Sequence, residues 1–219
     1  QGLQPAAASR RFPSYLAPAM TQLPELPLTL SRQEIRKMIR QRRRALTPEQ
    51  QQEMGQQAAT RMMTYPPVVM AHTVAVFLSF DGELDTQPLI EQLWRAGKRV
   101  YLPVLHPFSA GNLLFLNYHP QSELVMNRLK IHEPKLDVRD VLPLSRLDVL
   151  ITPLVAFDEY GQRLGMGGGF YDRTLQNWQH YKTQPVGYAH DCQLVEKLPV
   201  EEWDIPLPAV VTPSKVWEW

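Results

Sequence analysis

The sequence predicts an α/β fold: a single domain with a mainly parallel sheet and helices on both faces, preceded by an N-terminal helical pair. Three observations carry this expectation. From about residue 73 onward, β-branched apolar segments of strand length alternate with segments of helical period, the pattern that builds parallel sheets. The chain has 219 residues and is 44% apolar, enough to fill one core without disulfide or metal staples. No internal repeat or low-complexity linker divides it.

Each element has its own signal. Residues 1–19 contain no acidic residue and run directly into Met20. They read as an added leader or tag, a disordered tail or an Arg-rich, acid-poor transit segment; Met20 as a natural start favours the first. The domain therefore spans 20–219. Ser31 with Glu34 forms a capping box; Ile35, Met38, Ile39 and Leu46 share one helical face, and Arg32, Arg36, Arg40 and Arg44 another. Pro48 suits the first turn of a second helix, which Pro66-Pro67 ends near Tyr65. Thr73–Phe80 reads as a buried strand. Gln87–Ala96 reads as a helix with Leu89, Ile90, Leu93 and Trp94 inward, closed by Gly97. Arg99–Leu105 and Leu113–Tyr118 are the next strands, while 119–147 carries no clear period. Asp148–Ala156 is a buried strand in which Pro153 must end regular pairing. A helix near Phe170–Trp178 and short strands at Pro185–Ala189 and Ala209–Thr212 complete the fold. Trp94 and Trp178 read as core.

Charge and composition exclude whole classes. Lys+Arg 23 against Asp+Glu 22 gives a net charge of +1, which does not suit general coating of nucleic acid or anionic membrane. Seven basic residues do fall between Arg32 and Arg44, but Arg40, Arg42, Arg43 and Arg44 read as a solvated helix face. Cys192 is the only cysteine, so neither an internal disulfide nor a Cys-based zinc cage is available. No apolar run approaches the ~20 residues of a membrane span. Together these point to a soluble, cytoplasmic protein with no membrane or nucleic-acid partner, and the lack of a long apolar seam points to a monomer.

The sharpest local signal is Arg163-Leu164-Gly165-Met166-Gly167-Gly168-Gly169-Phe170-Tyr171-Asp172-Arg173, where four of the 11 glycines fall within five positions before a helix. Glycine lets backbone N–H groups approach an anion closely; the same composition also suits a plain tight turn. Walker A needs a Gly-Lys-Ser/Thr ending, and GxGxxG needs glycine where Phe170 stands. Neither is present, and no HxH or HExxH cluster supports zinc.

The string VAFDEYGQRLGMGGGFYDR, residues 155–173, resembles the signature of the 5-formyltetrahydrofolate cyclo-ligase family. SRQEIRKMIRQRRRAL at 31–46 and FLSFDGELDT at 77–86 match in the same order and spacing. The similarity runs from Leu30 to the C-terminus. It implies ATP-dependent cyclisation of 5-formyltetrahydrofolate to 5,10-methenyltetrahydrofolate with release of ADP and phosphate, through phosphorylation of the formyl oxygen, with Mg²⁺ as cofactor. Such phosphoryl transfer is mainly positioning and charge neutralisation, and needs no protein nucleophile.

Residue by residue, the resemblance places ATP on Arg32, Arg36 and the loop from Arg163 through Leu164, Gly165, Met166, Gly167, Gly168, Gly169 and Phe170 to Tyr171. It places folate on Arg36, Leu78, Glu83 and Phe170, and Mg²⁺ on Asp172 and Asp204. Arg163 and Glu83 carry the catalytic expectation, Glu83 either accepting pterin N–H groups or sitting near the reacting nitrogens. On sequence alone Asp172 could merely cap a helix, and Asp204 and Glu83 could be loop residues. One departure stands out: some relatives carry Lys at the position of Gly168, so Arg173 or an N-terminal arginine would have to replace that cation. This gap motivates an alternative, a catalytically weak folate-binding or regulatory protein. A further alternative is another enzyme on a related scaffold, such as a sugar-phosphate isomerase or acyl-CoA transferase, working without ATP.

Overall fold

A computed structural model describes residues 30–219; the expectations for residues 1–19 and Met20 lie outside the described residues. Helix α1 (Arg32–Arg44) begins at Ser31, whose hydroxyl accepts from Glu34 N while the Glu34 carboxylate accepts from Ser31 N. Ile35 and Ile39 are its fully buried positions of apolar type, each contributing roughly 1.5–3 kcal/mol on burial. Thr47 and Gln50 cap α2 (Pro48–Thr64) in the same way, and Pro66 opens the short α3 (Pro66–Met70). The two long N-terminal helices follow one another but serve different layers. Helix α1 packs on β8 (Ala156–Asp158) and the 3₁₀ turn Asp191–Gln193, whereas α2 packs on α4 (Gln87–Arg95).

Eight strands form the main sheet in the order β13-β12-β10-β7-β1-β2-β3-β6. Its centre, β12 (Ala209–Val211), β10 (Gln184–Tyr188), β7 (Val149–Thr152), β1 (Thr73–Ala75) and β2 (Arg99–Leu105), is parallel. At the edges β13 (Val216–Glu218) and β3 (Leu113–Tyr118) run against the centre, and β6 (Val141–Leu142) pairs antiparallel with β3. One face of the sheet packs under α2 and α4, with Met62, Leu89, Ile90 and Leu93 at its centre. The other is covered mainly by short elements, including α5 (Phe170–Leu175) through Leu175 and the C-terminal Trp217. Trp94 and Trp178 are half-buried against these clusters.

Two predicted strands are shorter than expected. The ladder at β1 stops at Ala75, with one further bond from Val76 N to Tyr101 O (2.9 Å). Phe77, Leu78 and Phe80 beyond it are apolar because they wall a cavity rather than pair with a neighbour. The run 148–156 divides at Pro153 into β7 and β8, and β8 joins a small second sheet with β9 (Arg163–Leu164) and β11 (Leu194–Val195). The predicted helix 170–178 ends at Leu175, followed by a 3₁₀ turn at Trp178–His180. Within the unassigned 119–147 lies a hairpin, β4 (Leu124–Met126) with β5 (His132–Pro134). No helix of the described residues is long and apolar enough to cross a membrane.

Candidate active site

A cavity of about 640 Å³ opens at the carboxyl ends of β1, β2 and β7. The chain runs from β1 outward to β2 and returns to β7 on the other side, so this is a topological switch point, where open α/β sheets place ligands. Leu78, Leu102, Pro103 and Leu154 supply apolar wall, and the β4–β5 hairpin closes one side through Asn127, Leu129 and Glu133.

The glycine loop forms one end. Gly167 (φ +111°) and Gly169 (φ +71°) hold backbone conformations that side chains resist, which is why the loop needs glycine there. Gly168 is tight for a different reason: a Cβ would lie 2.7 Å from the Phe170 ring, which would have to move. The aromatic side chain thus fills the space beside the Gly168 Cα. Arg36 lies at this end, donating from Nε to Gly165 O (2.7 Å), with its guanidinium carbon 3.8 Å from where a Gly167 Cβ would stand. Burial, with Arg32 and Arg40 nearby, pushes its pKa below the ordinary value. Arg173 is spent elsewhere. Its guanidinium donates to Gly111 O and Gly168 O (both 2.6 Å) and braces the loop from outside.

Two arginine–carboxylate pairs stand behind the loop. Arg163 is buried on β9, and its Nη2 donates to Asp172 Oδ1 (2.8 Å). Its Nε is buried without a partner among the described residues, and a Cβ at Gly165 would come within 3.1 Å of Nη1. Strand β9 is held in place by Asp158, fully buried, which accepts from Tyr160 N, Gln162 N and Leu198 N. Arg32 meets Asp204 in a two-pronged pair (2.6 and 3.1 Å). Asp172 Oδ1 also accepts from Ile205 N (3.2 Å), so the two carboxylates predicted to hold metal belong to one cluster.

Their fit to Mg²⁺ differs. Asp172 lines the cavity, and its Oδ2 has no partner among the described residues; it suits a hard cation that keeps phosphates and waters as its other ligands. Both oxygens of Asp204 are already engaged by Arg32 and Glu201 N, so it suits a cation only once Arg32 moves. No group of three or more His, Cys, Asp or Glu arranged for a metal occurs among the described residues.

At the far end Glu83 sits at 9% exposure. Its Oε1 accepts from Phe80 N (3.1 Å), and its Oε2 has no partner among the described residues. Burial raises its pKa to about 7, against the opposing pull of the Phe80 amide and Arg43. Leu78, Met166, Phe170 and Tyr171 also line the cavity, and burial pushes the Tyr171 phenol up. Leu164 does not reach it: its side chain belongs to the core cluster under α1 with Ile35 and Ile39.

The reading of Arg40, Arg42, Arg43 and Arg44 as one solvated face needs correction. Arg43 is 3% exposed, because the turn after residue 80 folds over it; Arg44 is exposed but paired with Asp81 (2.7 Å). Sequence reasoning missed the hairpin residues and Trp203, which lines the cavity although 65% exposed. Their segments have no period and no motif.

An apolar cavity at a sheet switch point, with a glycine loop and arginines at one end and a buried carboxyl at the other, defines a small-molecule enzyme of the α/β class. Residues 29–213 match the 5-formyltetrahydrofolate cyclo-ligase family. The chain belongs to that family of ligases. It is 53% identical over 179 residues to a 5-formyltetrahydrofolate cyclo-ligase of Haemophilus influenzae, covering 82% of this chain and 96% of the relative. It is 31% identical to one of Mycolicibacterium smegmatis, covering 84% and 95%. The solved 5,10-methenyltetrahydrofolate synthetase of Aquifex aeolicus superposes with a TM-score of 0.74 at 28% identity, covering 86% of this chain and 93% of that one.

Proposed function

We propose that this chain uses ATP to cyclise 5-formyltetrahydrofolate to 5,10-methenyltetrahydrofolate, releasing ADP and phosphate. The observation that carries this is the union, in one cavity, of the glycine loop with Arg36 at one end and the free oxygen of Glu83 at the other. The triphosphate lies against Arg32, Arg36 and the loop Arg163–Tyr171. The reduced pterin lies between Leu78 and Phe170, with Arg36 reaching both substrates.

A formamide oxygen is a poor leaving group. It therefore attacks the γ-phosphorus, the bond from that phosphorus to the β-bridging oxygen breaks, and ADP departs. N10 then adds to the activated formyl carbon, loses its proton, and the C–O bond breaks to release phosphate. A pKa of about 7 suits Glu83 to take up the N10 proton at neutral pH. Arg36 and Arg163 hold the phosphates in line and neutralise their charge. Asp172, and Asp204 once released by Arg32, would hold Mg²⁺, which would supply further charge neutralisation at the phosphates.

Arg36 beside Gly167 provides a loop cation that Gly168 lacks, which weighs against the catalytically weak alternative. We place the enzyme in the cytoplasm, as a monomer without nucleic-acid or membrane partners. The test is to mix protein, 5-formyltetrahydrofolate, Mg²⁺ and ATP and follow methenyl product by absorbance and ADP by coupled assay. Absence of both products overturns the proposal; methenyl product formed without ATP would favour a different reaction.

A further inference from the structure

Glu83 is the fourth residue of a tight turn that three distant parts of the chain grip. The turn closes on itself: Glu83 N donates to Phe80 O, and Phe80 N donates to Glu83 Oε1, both at 3.1 Å. Its middle residues are both left-handed, Asp81 at φ +52° and Gly82 at φ +75°. A non-glycine residue in that region carries strain that surrounding contacts must hold.

Those contacts come from three sides. Helix α1 supplies Arg43 and Arg44: Arg44 binds the Asp81 carboxylate at 2.7 and 3.0 Å, and Arg43 lies 3.8 Å from it. The backbone of Gly82 packs so closely on Arg43 that a Cβ would meet Arg43 Cβ at 3.2 Å. From α2, Gln51 Nε2 donates to Gly82 O (3.0 Å) and reaches Arg43 O (3.4 Å). From beyond β10, His190 Nε2 donates to the same Gly82 O (3.2 Å).

The grip is maintained at a penalty. His190 is fully buried with Nδ1 unpartnered, and Arg43 is buried with Nε unpartnered, among the described residues. Each orphaned buried group costs on the order of a lost hydrogen bond. His190 is itself locked by Gln193, which accepts from His190 N and donates to Leu154 O and Val155 O behind the cavity wall. None of these residues touches the glycine loop by a hydrogen bond or ion pair.

We propose that Arg43, Gln51 and His190 are positioning residues for Glu83, fixing its turn so that one carboxyl oxygen stays on the Phe80 amide and the other faces the substrate. This rests on Glu83 acting on folate as proposed above. Helix α1 serves both ends, carrying Arg36 to the glycine loop and Arg43 to the turn, but Gln51 and His190 bond to the turn and not to the loop, so their loss damages the folate end first.

The test is a double-mutant cycle in the full-length enzyme, with Gln51→Ala and His190→Ala each made in the wild-type and Glu83→Gln backgrounds. Gln51 is only half-buried, so its variant keeps the cycle readable if His190→Ala does not fold. Each single variant is expected to lower kcat/KM for 5-formyltetrahydrofolate about tenfold and to leave KM for ATP within about twofold; His190→Gln, which can still donate to Gly82 O, is expected to recover most of the loss. In the Glu83→Gln background the same changes should have little further effect. Equal losses in both backgrounds, a matching rise in KM for ATP, or no loss in either single variant would overturn the inference. If Glu83→Gln itself leaves turnover unchanged, the proposed role of Glu83 is what fails.

Discussion

Arg163 Nη2 donates to Asp172 Oδ1 across 2.8 Å, so the residue two before Gly165 is tied to the helix that follows Gly169. This buried bond closes the glycine loop at its base, like a drawstring. Both side chains are shielded, at 3% and 13% exposure. Arg163→Met therefore strands a carboxylate as well as removing the proposed phosphate partner. Removing one member of such a pair typically costs about 3–5 kcal/mol; partial exposure of Asp172 puts the expected loss nearer 3. Urea unfolding measures it. Turnover at saturating folate should fall with a raised KM for ATP, and unchanged ATP dependence would remove Arg163 from the nucleotide site.

Gly167→Ala tests the loop itself. At φ +111° a side chain is strained whatever space surrounds it, at a cost of roughly 1–3 kcal/mol. Calorimetry should show weaker binding of ATP with Mg²⁺ and unaltered binding of 5-formyltetrahydrofolate. An equal weakening of both ligands would show that the loop is not specific to the nucleotide end.

Removal of metal should act on one substrate only. Chelation of Mg²⁺ is expected to abolish turnover while folate binding, followed by the substrate's absorbance or by calorimetry, persists. Asp172→Asn should raise the Mg²⁺ concentration giving half-maximal rate by about tenfold or more, since one of a few carboxylate ligands is lost. An unchanged Mg²⁺ requirement in that variant would exclude Asp172 as a ligand.

Two buried groups near the turn should give opposite slopes of stability against pH. Glu83 has a folded pKa of about 7, above its unfolded value of 4.5. Its stabilising contribution is complete below 4.5 and is lost as pH rises to about 7. His190 behaves in reverse: burial lowers its pKa to about 4 from 6.5, so its contribution is present above 6.5 and is lost as pH falls to about 4. Over their shared range each changes stability by about 1.4 kcal/mol per pH unit with opposite sign, and they largely cancel. Glu83→Gln should expose a rise in stability from pH 4.5 to 6.5 relative to wild type, and His190→Gln a fall. Parallel pH profiles for wild type and both variants would refute the assignment.

Much of this architecture was legible in the residues. The capping box at Ser31, Pro48 at the start of α2 and the apolar runs read as strands at 73–80, 99–105 and 148–156 follow local rules strong enough to place these elements, though two of the runs end earlier as strands. Strands of two or three residues, such as β4, β5, β8, β9 and β11, are too short to show a period, and tertiary pairing alone decides them. The glycine loop, Arg163, Asp172 and Glu83 stood out through a family motif. Arg43 and His190 did not, because a helical arginine looks solvated until the fold buries it. Leu164 is a motif residue of another kind: its side chain lies in the core cluster with Ile35 and Ile39, leaving only its backbone toward the loop.

The Arg32–Asp204 pair joins positions 172 apart in sequence, and Arg36 meets Gly165 across 129. During synthesis, the helix carrying both arginines leaves the ribosome long before its partners exist. The glycine-loop end of the cavity is therefore among the last parts to be completed, and a nascent chain halted short of residue 204 leaves Arg32 without the carboxylate it binds in the finished protein.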